Sequence, residues 1–359
     1  MRNGSVFFKS LFGLSALAFV TSFFSSCQKT ATSTVNVGDW AIETEFAGIP
    51  RTLAVSFTIH YPGTNTDTVY IGGGYNGFTN TYLTDFYKFD ESNNHSWIRV
   101  ADFPGDPRDG SAGFSINGLG YIVGGYDGNY HLSDMWSYNP ATNSWDSITA
   151  PLPTPQSRIG AVAFSINNIA YYGAGADSTH NCYNDMYQFN GTTWGTAPDL
   201  NAKREYASVF VYENIAYVVG GVNTGNGNSY PDDLSYYNPA ALPIWTPLRP
   251  IITLGDSSYS ADYAFNINRS NAPIFLINDT AYLATGNYNG ILNTTWCFDI
   301  GNDQWFQKSS FEGTARQNAI GFTVNNHGYI ATGDNGSNYY DDVWQFFPDA
   351  ALTADDNVQ

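Results

Sequence analysis

At 359 residues the chain can form one large all-β domain or two ordinary ones, and a formal charge of −18 excludes a general nucleic-acid partner, whose phosphates would be repelled over most of the surface. Charged residues are only 13% and aromatics reach 16%, with 26 Tyr, 24 Phe and 35 Gly, a composition suited to many short, half-buried strands joined by tight turns. The same charge disfavours adsorption of the globular part to anionic lipid, although a local basic pocket for an anionic small ligand stays compatible with it.

In chain order, residues 1–27 read as an export segment: Arg2 and Lys9 precede an apolar stretch from Leu11 to Val20, too short for a membrane span of roughly 20 residues. The segment ends in Phe24-Ser25-Ser26-Cys27, which resembles a bacterial lipobox, with Phe24 in place of the usual aliphatic residue. The resemblance implies acylation of Cys27 and a lipid-anchored protein of the bacterial cell envelope, on the outer membrane and facing the periplasm or the outside. Residues 28–37, rich in Thr and Ser, read as a flexible tether.

A repeat then occupies residues 38–348. Arg108 and Gly125 bracket a segment that recurs as Arg158–Gly175, Arg204–Gly221, Arg269–Gly286 and Arg316–Gly333, always 17 positions apart. The first copy, Arg51–Gly74, spans 23, the extra six residues lying around His60–Asn65. Ala174, Thr285 and Thr332 replace the first Gly of the closing pair. An acidic residue leading an aromatic strand follows at Asp85, Asp134, Asp185, Asp233 and Asp342, with Thr294 in the fifth copy. A lone Trp opens the next strand at Trp97, Trp145, Trp194, Trp245 and Trp305. The sixth copy lacks that Trp, but Trp40 stands 11 residues before Arg51, the interval that separates Trp97 from Arg108. The strand around Trp40 is therefore expected to complete the last blade and leave no open edge.

The Gly pair, aromatic strand and later Trp resemble the kelch repeat over roughly residues 36–348. The resemblance implies an all-β, six-bladed kelch-type β-propeller of four-stranded meanders, closed by the N-terminal strand, with residues 349–359 as a tail. In the second copy the strands fall at Ser111–Ile116, Gly120–Val123, Met135–Tyr138 and around Trp145. Cys182 and Cys297 fall in blades three and five, which are not neighbours, so two free thiols are expected, that of Cys297 in a buried strand.

In such a meander the arginines, the Gly pairs and the loops after them share one rim. Arg51, Arg108, Arg158, Arg204, Arg269 and Arg316 would ring the channel mouth, either as an anion trap for carboxylates or as structural ties between blades. The rim loops hold Tyr75, Phe78, Tyr126, Tyr130, His131 and Tyr288, together with the stretch Val222–Asp232. Aromatic faces beside amides and carboxylates suit a saccharide. The interval from Trp245 to Arg269 is about a dozen residues longer than its equivalents and carries Asp256, Tyr259, Asp262 and Tyr263, further ligand-binding candidates beside Arg204 and Glu205.

The main expectation is a membrane-anchored binding module for a glycan or protein partner, monomeric, with no cofactor and no metal. The alternative is an enzyme similar to the six-bladed kelch sialic-acid epimerases, a mutarotase or epimerase of an acidic sugar. Glu205 and Arg204 are then catalytic candidates by location, although successive strand positions diverge. Copper-radical kelch oxidases ask for a Tyr–Cys cross-link and two His; only His131 and His180 are expected on the Arg rim. The acidic pairs Asp232-Asp233 and Asp341-Asp342 read as turn caps.

Overall fold

Alternation of buried and half-exposed side chains, as in Val162–Ile166, defines strands with one face in each inter-blade core. The computed structural model describes residues 37–61, 66–154, 157–242, 244–251 and 267–353. The export segment with Cys27, tether residues 28–36, Asp256, Tyr259, Asp262, Tyr263 and the last six residues lie outside them.

Among the described residues six four-stranded antiparallel sheets form the blades. Blade two shows the plan: Ala112–Ile116, Leu119–Val123, Met135–Asn139 and Ser144–Ser147 pair in sequence order. The inner strands of the six blades are Val55–Tyr61, Ala112–Ile116, Val162–Ile166, Ser208–Tyr212, Ile274–Ile277 and Ile320–Val324. The insertion in the first copy lengthens its hairpin, in which Val55–Tyr61 pairs with Thr66–Gly72. In blade six the N-terminal strand Asp39–Glu45 pairs with Asp342–Phe347, Trp40 opposite Phe346. The propeller is thus closed by the two ends of the repeat region. Trp40 is fully buried against Phe275, Phe311 and Phe346.

Each blade carries the same cross-strand pair of stacked rings: Phe57/Tyr70, Phe114/Tyr121, Phe164/Tyr171, Phe210/Tyr217, Phe275/Tyr282 and Phe322/Tyr329, with centroids 4.7–5.6 Å apart. Directly opposed aromatic pairs are a main source of sheet stability, about 0.2–1 kcal/mol each relative to an Ala–Ala pair. The rings also reach the neighbouring blade. Phe57 packs over Gly120 and Phe275 over Gly328, at sites where a Cβ would collide with the ring.

The Gly pair divides into two roles. Its first position has φ between 52° and 66°, the left-handed region, and accepts Ala174, Thr285 and Thr332. Its second position has φ of 77–100°, and a Cβ there would stand 2.6–2.9 Å from the carbonyl oxygen of the residue after the repeat Arg. Gly is retained at this second position in all six copies, for both reasons. The same Gly N–H donates to the Arg carbonyl of the next blade, at 2.8–3.0 Å, all the way round to Gly333 and Arg51.

Cys182 and Cys297 are buried free thiols. The turns on the far rim, such as Asn167-Asn168 and Asn325-Asn326, have both residues at positive φ, the geometry of tight hairpins.

Candidate functional site

The six repeat arginines correct one expectation. They do not present an open guanidinium ring at the mouth, because each is 0–1% exposed. In every blade Nη1 donates to the carbonyl of the first Gly-pair residue, at 2.7–3.1 Å. Five of the six guanidiniums also make two hydrogen bonds of 2.5–3.1 Å to the carboxylate that leads the third strand: Asp85, Asp134, Asp185, Asp233 or Asp342. Asp233 and Asp342 are therefore partners of arginines and not simple turn caps. Burial alone would raise Asp85 and Asp134, yet the bonds from Arg51 and Arg108 leave both carboxyls below their ordinary range. In the fifth blade Thr294 offers Arg269 only its hydroxyl and carbonyl. Burial without a carboxylate pushes Arg269 down to about 9.

With the arginines turned into the blades, the channel mouth is built from the second and third positions after each of them. The residues two after each Arg are Leu53, Gly110, Gly160, Tyr206, Asn271 and Asn318, all at φ of 51–63°. Their backbones form a closed hydrogen-bonded circle: Gly110 N–H to Leu53 C=O, Gly160 to Gly110, Tyr206 to Gly160, Asn271 to Tyr206, Asn318 to Asn271 and Leu53 to Asn318, at 2.8–3.4 Å. Together with the small residues that follow them, such as Ala54, Ser111 and Ala207, they line an axial cavity of about 150 Å³. Nothing in the repeat signature announces this circle. Its cue is a left-handed position that holds Leu and Tyr as well as the Gly and Asn that region favours.

The Tyr206 ring lies across Gly160, where a Cβ would meet it at 3.0 Å, and its hydroxyl reaches toward Gly110. On the opposite side Asn271 Nδ2 donates to Asn318 Oδ1 at 2.6 Å. Asn318 in turn donates to Asp334, which also accepts from Thr52 and Gln317.

The residues directly after the arginines supply the buried carboxyls. Glu205 accepts from the Thr224 hydroxyl, carried on the 3-10 turn Thr224–Asn226, and from the Cys182 thiol at 3.9 Å. Burial raises its carboxyl, with Thr224, His180 and Cys182 pulling the other way. Arg204 points instead to Asp233, so Arg204 and Glu205 do not serve one site. Asp109, a residue that sequence reasoning missed, is 7% exposed, and its Oδ1 has no hydrogen-bond partner. Burial pushes its carboxyl up to about 7. The Tyr206 hydroxyl is raised by burial and by the charges of Glu205 and Asp109, which places both carboxyls within electrostatic reach of the mouth.

The rim loops form an aromatic arc from blade six to blade two. Phe78 meets Tyr339 at 5.2 Å, Tyr339 meets Tyr75 at 6.1 Å, Tyr75 meets Tyr82 at 4.9 Å, Tyr82 meets Tyr126 at 5.9 Å, and Tyr126 meets His131 at 5.3 Å. Tyr230 and Tyr288 pair separately at 4.7 Å. His131 is lowered by burial and then by His180. Among the described residues no three His, Cys, Asp or Glu side chains converge as metal ligands.

Residues 45–197 match the KLHDC2/KLHL20/DRC7 Kelch-repeats domain. The chain is 34% identical over 130 residues to the N-acetylneuraminate epimerase of Escherichia coli K12, covering 34% of this chain and 33% of that protein. It is 30% identical over 127 residues to the N-acetylneuraminate epimerase of Pasteurella multocida, covering 34% and 31%. The match thus spans about a third of the length of these curated relatives. The solved structure of YjhT shares the fold, with a TM-score of 0.65 and 18% identity over 84% of this chain and 94% of that one. The architecture, the matched repeats and their continuation round the ring make this protein a six-bladed kelch-repeat β-propeller, similar in part of its sequence to N-acetylneuraminate epimerases.

Proposed function

We propose that this propeller binds a sugar at the Tyr206 mouth and accelerates the opening and closing of its ring, as a mutarotase or epimerase. The observation that carries the reading is Asp109: a buried carboxyl with an unpartnered oxygen, pushed up to about 7 by burial and within electrostatic reach of Tyr82 and Tyr206. Ring opening takes the proton from the anomeric hydroxyl and delivers one to the ring oxygen, and reclosure reverses both transfers. A group whose pKa lies near the working pH can serve either direction. Glu205, also raised, is the second proton-transfer candidate, and Tyr206 offers a ring face against the sugar's apolar face. The partial likeness to N-acetylneuraminate epimerases favours the same chemistry.

Mutarotation of freshly dissolved sugar, followed by NMR of the anomeric protons, tests this. The full chain should speed equilibration, and Glu205→Gln should slow it by about 10²-fold, the usual worth of a positioned acid–base group. A rate equal to buffer for every sugar tried would refute the catalytic reading. A second reading, a non-catalytic glycan-binding module, is favoured by the aromatic arc from Phe78 to His131. It expects binding with no change in mutarotation rate. Anchoring to the cell envelope through Cys27 is proposed on the resemblance of residues 24–27 to a lipobox. Loss of membrane association in Cys27→Ala would support it.

A further inference from the structure

The charges around the mouth bear on what kind of sugar it takes, an inference that rests on the sugar reading above. The sequence has 14 Lys and Arg; three of them, Arg2, Lys9 and Lys29, precede residue 37, which leaves eleven for the propeller. Six of the eleven are the buried arginines, whose guanidiniums are already bonded inside the blades. Arg99 is engaged by Asp102 on an outer strand, and Arg249 lies 3.7 Å from Asp303. Lys308 donates to the Pro348 carbonyl, and Lys88 sits in the middle of blade one, beside Asp67, Asp90 and Glu91 at the opposite rim. That leaves Lys203, exposed next to Arg204, and the imidazole of His180, which lowers Glu205.

Three carboxyls stand one position or one hydrogen bond outside the cavity lining. Asp109 and Glu205 adjoin the cavity-lining Gly110 and Tyr206, and Asp334 is bonded to the cavity-lining Asn318. The hydrogen-bonding groups set into the circle are neutral amides and a phenol: Asn271, Asn318 and Tyr206. Such a mouth can hydrogen-bond hydroxyls and acetamido groups, whereas a carboxylate would meet like charge with no guanidinium to receive it.

We propose that the sugar recognised here is neutral, an aldose or N-acetylamino sugar without a carboxylate, in contrast to the N-acetylneuraminate named for the partly matching relatives. Asp334 and the ionised fractions of Asp109 and Glu205 place like charge beside the mouth, so an acidic sugar is weakened by about ten-fold or more against its uncharged ester.

Isothermal titration of the full chain with N-acetylneuraminate, its methyl ester, N-acetylmannosamine and galactose tests the proposal. The ester presents the same ring without the charge. At least one neutral sugar and the ester should bind, and the free acid should bind at least ten-fold more weakly than the ester. Lys203→Ala should leave the ratio of ester to acid unchanged. Equal or tighter binding of the free acid, or its selective loss in Lys203→Ala, would overturn the neutral-sugar inference while leaving the sugar reading intact. Binding of none of the four would overturn both.

Discussion

Replacing Asp109 by asparagine should make the protein more stable and less active at once. Burial penalises the charged form of Asp109 and pushes its carboxyl from an ordinary 3.8 up to about 7 in the folded protein. Between those two values the native state keeps a proton that the unfolded chain has released, so rising pH erodes stability across that window. Above about pH 7 the full cost applies: 3.2 pH units at 1.36 kcal/mol each is about 4 kcal/mol, an upper bound to order of magnitude. The asparagine side chain carries no charge and has nearly the same shape. In urea unfolding at pH 8, Asp109→Asn should gain about 2–4 kcal/mol over the parent, with the gain shrinking toward zero as pH falls to about 4. In the mutarotation assay the same variant should lose about 10²-fold. A gain that did not vary with pH would refute the assignment of the raised carboxyl to Asp109. A stable variant of full activity would remove Asp109 from the proton transfer.

Three further outcomes follow from the scaffold. Thr294→Asp should supply Arg269 with the carboxylate present in the other five blades and raise the urea midpoint, worth about 1–3 kcal/mol for a charge-assisted pair. Gly221→Ala should destabilise by more than about 1 kcal/mol, because φ is 90° and the new Cβ stands 2.9 Å from the Glu205 carbonyl; thermal unfolding reads it. Glu91 ties blade one to blade six by accepting from His327 and Tyr329, both at 2.6 Å, and from Asn325. Burial would raise Glu91, but these bonds hold it below its ordinary value, so its contribution is present at neutral pH and lost as acid protonates it. Glu91→Gln should therefore cost about 1–2 kcal/mol at pH 7 and progressively less in acid, measured by urea unfolding across that range.

The arginines show how a repeated residue misleads about function. Six guanidiniums at one rim look alike to a ligand-binding ring and to a buried structural clamp, because the signature records only the spacing of Arg from Gly and Asp. The direction of the side chain is what decides, and the partners Asp85, Asp134, Asp185, Asp233 and Asp342 lie 26–34 residues downstream. Glu205 was legible as a candidate from its place beside Arg204. Asp109 was not, because its unusual proton affinity comes from burial and not from a motif.

The resemblance to the kelch repeat implied four strands in each blade, whereas the six copies and the closure through Trp40 were readable from residue order alone. These follow from short-range periods, the two-residue alternation of strands and the fixed spacing of Arg, Gly and Trp, which survive without knowledge of any distant contact. Which rim residues remain available was settled by the assembled ring instead. The circle of Leu53, Gly110, Gly160, Tyr206, Asn271 and Asn318 forms when six repeats meet at one axis, and each of its hydrogen bonds joins residues of different blades. The burial that turns the arginines inward and raises Asp109 is likewise a property of the closed ring, since no single repeat can exclude water from its own edge.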